Sequence, residues 1–148
     1  MLALYRPNDI CAACIAQRET TLEKISSILV VEDEVLILHM IESGLEEGGF
    51  SVMLAASADR AVELLDAQKP PFCAVITDIN LGRAKSGWDV AKHARELAPD
   101  IAVIYVSGHG AYDWASHGLP KSVMITKPFA IAQLLTAVSH LLNSPRQG

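Results

Sequence analysis

From residue 26 onward the chain alternates between two textures. Short, continuous apolar runs each end at a polar residue, and longer stretches with helical spacing separate them. Ser27-Ile28-Leu29-Val30-Val31 is apolar and partly β-branched, as a strand buried on both faces should be. Glu32, Asp33 and Glu34 end it. Val35 to Glu47 has helix-type composition and stops at Gly48-Gly49. Phe50 to Ala56 alternates loosely and predicts a second strand. Ser57 can cap the next helix, which places Ala58, Ala61, Val62 and Leu65 on one face until Lys69-Pro70-Pro71 breaks it.

The pattern then repeats. Phe72 to Thr77 predicts a third strand ending at Asp78, and a loop through Asn80, Gly82 and Gly87 follows. The third helix groups Val90, Ala91, Ala94, Leu97 and Ala98 and is closed by Pro99. Ile101 to Val106 predicts a fourth strand ending at Ser107. Gly108 to Gly118 is poor in helix signal, so a helix there is expected to be short or irregular. Val123 to Thr126 predicts a fifth strand ending at Lys127-Pro128. The last helix has Ile131, Leu134, Leu135, Val138, Leu141 and Leu142 at i, i+3, i+4 spacing. Five strand–helix repeats define an α/β, doubly wound fold: a parallel sheet covered by helices on both faces, with right-handed crossovers. Residues 1–25 mix Pro7, Asn8 and Asp9 with short apolar pieces and predict a tail or marginal helix. Residues 26–143 form the domain, and 144–148 a C-terminal tail.

Composition narrows the function. The chain has 148 residues, 51% hydrophobic and 20% charged, which suits one folded domain with a real core. Its formal net charge of −5, with no basic cluster, argues against a nucleic-acid face. Ile28–Val31 and Val35–Ile41 are far too short to span a bilayer, and no secretory signal is visible, so no membrane partner and a cytoplasmic location are expected. Cys11 and Cys14 form a lone C-x-x-C that cannot close a tetrahedral zinc site by itself, and Cys73 reads as a buried small hydrophobe. No G-x-x-x-x-G-K-[ST] is present, which disfavours a P-loop enzyme.

The candidate chemistry comes from position. Asp33, Asp78, Ser107 and Lys127 each lie just past the carboxyl end of a predicted strand, the edge where open parallel sheets bind ligands. Glu32, Asp33 and Asp78 brought together would repel one another, and a hard cation such as Mg²⁺ relieves that. An aspartate can act as a nucleophile toward phosphorus. The transferred group then needs positive charge and donors around its oxygens, which Mg²⁺, Lys127 and Ser107 would supply.

Val30-Val31-Glu32-Asp33-Glu34, Asp78-Ile79-Asn80-Leu81, Val106-Ser107-Gly108 and Thr126-Lys127-Pro128-Phe129 resemble, in order and spacing, the motifs of the response-regulator receiver family of two-component systems. The resemblance covers about residues 26 to 143. It implies the strand order 2-1-3-4-5, which a standard example of the doubly wound fold already illustrates. It also implies that Asp78 is the phosphoacceptor, with Lys127 contacting the phosphoryl group and Ser107 swinging toward it. Asp33 would be a direct Mg²⁺ ligand, Glu32 a ligand directly or through water, and the backbone carbonyl of Asn80 a further ligand beside Asp78. The Lys127–Pro128 bond is expected to be cis. The implied phosphodonor is a sensor histidine kinase or a histidine phosphotransfer protein, and output is expected through contacts with an unknown downstream protein. Catalysis is expected to extend at most to the domain's own phosphorylation and dephosphorylation. Dimerisation through the strand-five region occurs in the family and is left open.

The sequence departs from the family's usual pattern in three places. Met124 stands where an aromatic residue is common, with Tyr105 or Tyr112 as candidate substitutes. The loop after Asp78 lacks the frequent Met-Pro. Ser107-Gly108-His109-Gly110 precedes the weak fourth helix. These departures leave a second reading, a degenerate receiver acting as a phosphorylation-independent adaptor. A third class, an aspartyl-phosphate phosphatase, is disfavoured because Asn80 stands where such enzymes usually carry a second acid.

Overall fold

The computed structural model describes residues 27–67, 71–82, 85–108, 114 and 116–143. The extension 1–25, the Cys11–Cys14 pair, Tyr112, most of the segment expected to hold the short fourth helix, and the tail 144–148 lie outside them.

Five parallel strands form one sheet: β1 (Ser27–Val31), β2 (Ser51–Ala55), β3 (Ala74–Asp78), β4 (Ala102–Ser107) and β5 (Ser122–Thr126). Their order is β2-β1-β3-β4-β5, as the resemblance implied. Helices α1 (Val35–Glu47), α2 (Ala58–Ala67), α3 (Gly87–Leu97) and α4 (Ile131–Asn143) connect and cover it. Alternate residues of each central strand feed two separate cores. Leu29, Val31, Val75, Val103 and Tyr105 pack under α2 and α3. Ile28, Val30, Ile76, Ile104 and Val106 pack under α1 and α4. Burial on both faces is why these strands read as unbroken apolar runs rather than alternating ones.

Local signals set the helix ends. Gly49 takes φ +93 just past α1, a conformation glycine adopts without steric cost. Ser57 Oγ accepts the Arg60 N–H at 3.1 Å at the start of α2. Ser86 and Asp89, at Ser-x-x-Asp spacing, form a reciprocal capping box at the start of α3.

Some details differ from expectation. β3 begins at Ala74, not Phe72, because Phe72 and Cys73 lie before the ladder; Cys73 is half-buried, its S–H donating to the Ser27 carbonyl at 3.2 Å. In α2 Ala58, Ala61 and Leu65 are buried as expected, but the fourth buried residue is Leu64, and Val62 is only half-covered. Leu97 ends α3 exposed, while Ala94 and Ala98 of the same end of the helix pack into the core.

Candidate functional site

β1, β3 and β5 deliver the site residues from their carboxyl ends. Glu32 follows β1 directly and is buried, although it is ionisable. Its Oε1 accepts the Glu34 N–H at 3.1 Å, and its Oε2 accepts from Lys127 Nζ at 3.0 Å. Asp78 is the last residue of β3 and is only 6% exposed. Its Oδ1 accepts the Asn80 N–H and its Oδ2 accepts from Lys127 Nζ, each at 3.0 Å. Lys127 therefore bridges two carboxylates that come from strands far apart in sequence.

Burial accounts for the electrostatics. It drives the Glu32 carboxyl from 4.5 up to about 7, against the lowering effect of the Glu34 N–H and Lys127, and the Asp78 charge adds to the rise. Burial alone would lower the Lys127 ammonium, but hydrogen bonds and charge from Asp78 and Glu32 outweigh it and hold the group above its ordinary value. The lysine thus stays cationic.

Asp33 is exposed at the rim. One oxygen each from Glu32, Asp33 and Asp78 lie within 4.8 Å of one another, an all-oxygen set of the kind a hard divalent cation favours. Each carboxylate oxygen has more than one acceptor direction, so the bonds from Lys127 and Asn80 leave capacity for an ion. Gly82, at φ +77, passes close to Asp33: a Cβ there would lie 3.7 Å from Asp33 Oδ2.

Ser107 ends β4 and is buried, and its carbonyl accepts the Lys127 N–H at 2.8 Å. This bond ties the serine and lysine strand ends together. Lys127–Pro128 is cis, as expected. Asn80 is exposed, and the group it presents to Asp78 is its N–H. Tyr105, a candidate substitute for the missing aromatic, is fully buried, and Met124 is half-buried beside it in the register.

Two supporting residues were not singled out from the sequence. Thr77 Oγ1 donates to the Asp78 carbonyl at 2.9 Å. Gly87 lies so close to that carbonyl that any Cβ would overlap it. The glycine in the loop was visible, but its proximity to Asp78 depends on a turn in space.

This arrangement is that of a receiver, and comparison with known proteins places the chain in that class. The response regulator receiver domain family matches residues 28–139, and the chain belongs to it. The family is one of signalling domains rather than classical enzymes.

Particular relatives follow. The chain is similar to the alginate biosynthesis transcriptional regulatory protein AlgB of Pseudomonas aeruginosa, at 36% identity over 127 residues, covering 84% of this chain and 28% of that protein. It is similar to the response regulator protein TodT of Pseudomonas putida, at 30% identity, covering 84% and 55%. The chain therefore spans less than two thirds of the length of these curated relatives. A response regulator receiver protein from Sinorhizobium medicae WSM419 superposes with a TM-score of 0.77 at 43% identity, covering 80% of this chain and 94% of that one. The receiver domain of the sensor histidine kinase PA1611 from Pseudomonas aeruginosa, whose structure holds a magnesium ion in its active-site cleft, shares the fold at 24% identity and a TM-score of 0.68, covering 80% and 98%. Among the described residues no helix is long and apolar enough to cross a membrane.

Proposed function

We propose that this chain is a phosphoacceptor of two-component signalling, taking a phosphoryl group on Asp78 from a phosphohistidine of a sensor histidine kinase or phosphotransfer protein. The observation that carries this is the Lys127 ammonium, held 3.0 Å from Asp78 Oδ2 within a group of three carboxylates. Asp33, Glu32, Asp78 and the carbonyl of Asn80 would hold Mg²⁺. That ion would supply positive charge to the oxygens of the transferred group.

The residues then divide the work. An Asp78 carboxylate oxygen attacks phosphorus in line with the P–N bond of the donor. The new P–O bond forms as the P–N bond breaks, and a protonated donor ring departs as neutral imidazole. Lys127 loses one carboxylate contact and gains phosphoryl oxygens, so it moves little and stays charged. The Ser107 hydroxyl donates to a further oxygen. The step is positioning and charge neutralisation, which fixed groups supply. The acyl phosphate carries about −1.5 to −2 charge at neutral pH in place of the single negative charge of the Asp78 carboxylate. Output is a change in the surface offered to a downstream protein.

The test uses phosphoramidate, a small donor with the same P–N bond. With Mg²⁺ the wild type gains one phosphoryl mass, and Asp78→Asn gains none. Equal modification of both proteins would refute the assignment.

A further inference from the structure

The connection into β5 is fastened from several sides. Arg95 of α3 donates to the Pro120 carbonyl at 2.6 Å and to the Lys121 carbonyl at 3.0 Å. A third bond from the same guanidinium, to the Ile101 carbonyl at 2.9 Å, anchors the arginine to the foot of β4. Lys121 is in the left-handed region at φ 56, so its carbonyl is restrained where the backbone is least comfortable for a side-chain-bearing residue. The turn 118–121 is therefore a firm unit and not a slack loop.

The same turn has one link to the interior and one to the exterior. On the inner side the Leu119 N–H donates to the hydroxyl of Tyr105 at 3.3 Å. Tyr105 is fully buried, its ring 4.6 Å from that of Trp88. It stands two residues before Ser107 on β4, so both side chains leave the strand on the same face. On the outer side the Leu119 carbonyl accepts from Ser122 Oγ, and Ser122 Oγ accepts the Trp114 indole N–H at 3.1 Å. The indole also lies against Gly118, where a Cβ would collide with it. Trp114 is one of the exposed large hydrophobic residues.

We infer that the 118–122 turn, latched to the buried Tyr105 hydroxyl inside and carrying the Trp114 indole outside, transmits the state of the site to the exposed surface. The inference rests on phosphorylation at Asp78 and adds the route by which it is read. When Ser107 is drawn toward the phosphoryl group, the end of β4 shifts and carries Tyr105 with it. At 3.3 Å the latch bond is at the long end for N–H···O, so a small displacement opens it. Arg95 holds the carbonyls of the turn but not the Leu119 N–H. The two states of the element are thus latch closed and latch open. The route bypasses residue 124, whose methionine side chain carries no hydroxyl.

The experiment uses the full chain labelled with 5-fluorotryptophan, whose ¹⁹F signals are assigned by Trp114→Phe. Mg²⁺ and acetyl phosphate are added, and intact mass records phosphorylation independently of the spectrum. The wild type should gain the phosphoryl mass and shift its Trp114 signal. Tyr105→Phe, which removes only the hydroxyl, should gain the mass and lose most of that shift. Ser122→Ala, a milder change one bond further out, should also gain the mass and lose most of the Trp114 shift. A full Trp114 shift in phosphorylated Tyr105→Phe or Ser122→Ala overturns the latch and leaves the functional reading intact. No mass gain in the wild type overturns both.

Discussion

Lys127 Nζ lies 3.0 Å from Asp78 Oδ2, which joins the ends of β5 and β3 across the intervening β4. The same ammonium reaches Glu32, just past the end of β1, at 3.0 Å. One cation therefore neutralises two acids that the sheet brings together, and it stands beside the oxygen to which the proposed phosphoryl group would be joined. Structural and chemical roles meet in this one side chain, so its removal should affect both.

Lys127→Met removes the counter-charge from a buried Glu32. In metal-free buffer at pH 8 the variant should be less stable than the wild type by about 1–3 kcal/mol. The deficit should shrink at pH 5.5. Glu32 has a folded pKa raised from 4.5 to about 7, so its stabilising contribution is complete below 4.5 and is lost as pH rises toward 7. Without the lysine the carboxyl is raised further, and at pH 5.5 a protonated Glu32 needs no partner. Urea unfolding with EDTA at the two pH values measures this. A deficit larger at pH 5.5 would contradict it.

Gly87→Ala should be costly for a change of one methyl group. The added Cβ would overlap the Asp78 carbonyl, which is backbone and cannot rotate away. A loss of about 1–3 kcal/mol is expected, as for overpacking at a closely packed site. Phosphorylation at Asp78 should slow as well, because the strand end must shift. Urea unfolding and the rate of mass gain with acetyl phosphate check the two parts.

The framework of this site was legible because it depends on strand ends. A strand buried on both faces must be largely apolar, so the charged or hydroxyl residue that closes the run marks where it emerges, and Glu32, Asp78, Ser107 and Lys127 stand there, with Thr77 and Thr126 just before two of them. What could not be read depends on distance in space. Nothing in the chain ties Arg95 to the carbonyls of Pro120 and Lys121, since any residue supplies a carbonyl. Gly87 looked like a loop glycine, and only the turn that returns it to Asp78 shows why a side chain is excluded. Leu97 fits the helical repeat, yet it is the last residue of α3 and is left exposed, which a repeat alone does not show. The apolar run begins two residues before β3, because Phe72 and Cys73 are as apolar as the strand itself.

Ser86→Ala should cost about 1 kcal/mol by removing the capping box at the start of α3. Ser86 Oγ accepts the Asp89 N–H, and the Asp89 carboxylate accepts the Ser86 N–H at 2.8 Å. Ser86→Thr should retain most of the stability. Urea unfolding of the pair tests this, and equal loss in both variants would contradict a capping role.

Cys73 should be a poor nucleophile. Burial pushes its thiol from 9.0 up to about 11. In a Cys11→Ser, Cys14→Ser background, iodoacetamide at pH 8 should modify the folded chain about 100-fold more slowly than the chain in urea, as two pKa units imply. The stability that the protonated thiol contributes is present below pH 9 and is lost as pH rises toward 11. Equal alkylation rates in the folded and unfolded chains would contradict this.

The most direct measurement is the location of the phosphoryl group. The full chain is incubated with acetyl phosphate and Mg²⁺, reduced with borohydride, digested and sequenced by mass spectrometry. Reduction should leave homoserine at position 78 and nowhere else, and EDTA should abolish it. Homoserine at Asp33 or at another acid, or an unmodified residue 78 in the presence of Mg²⁺, would contradict the account.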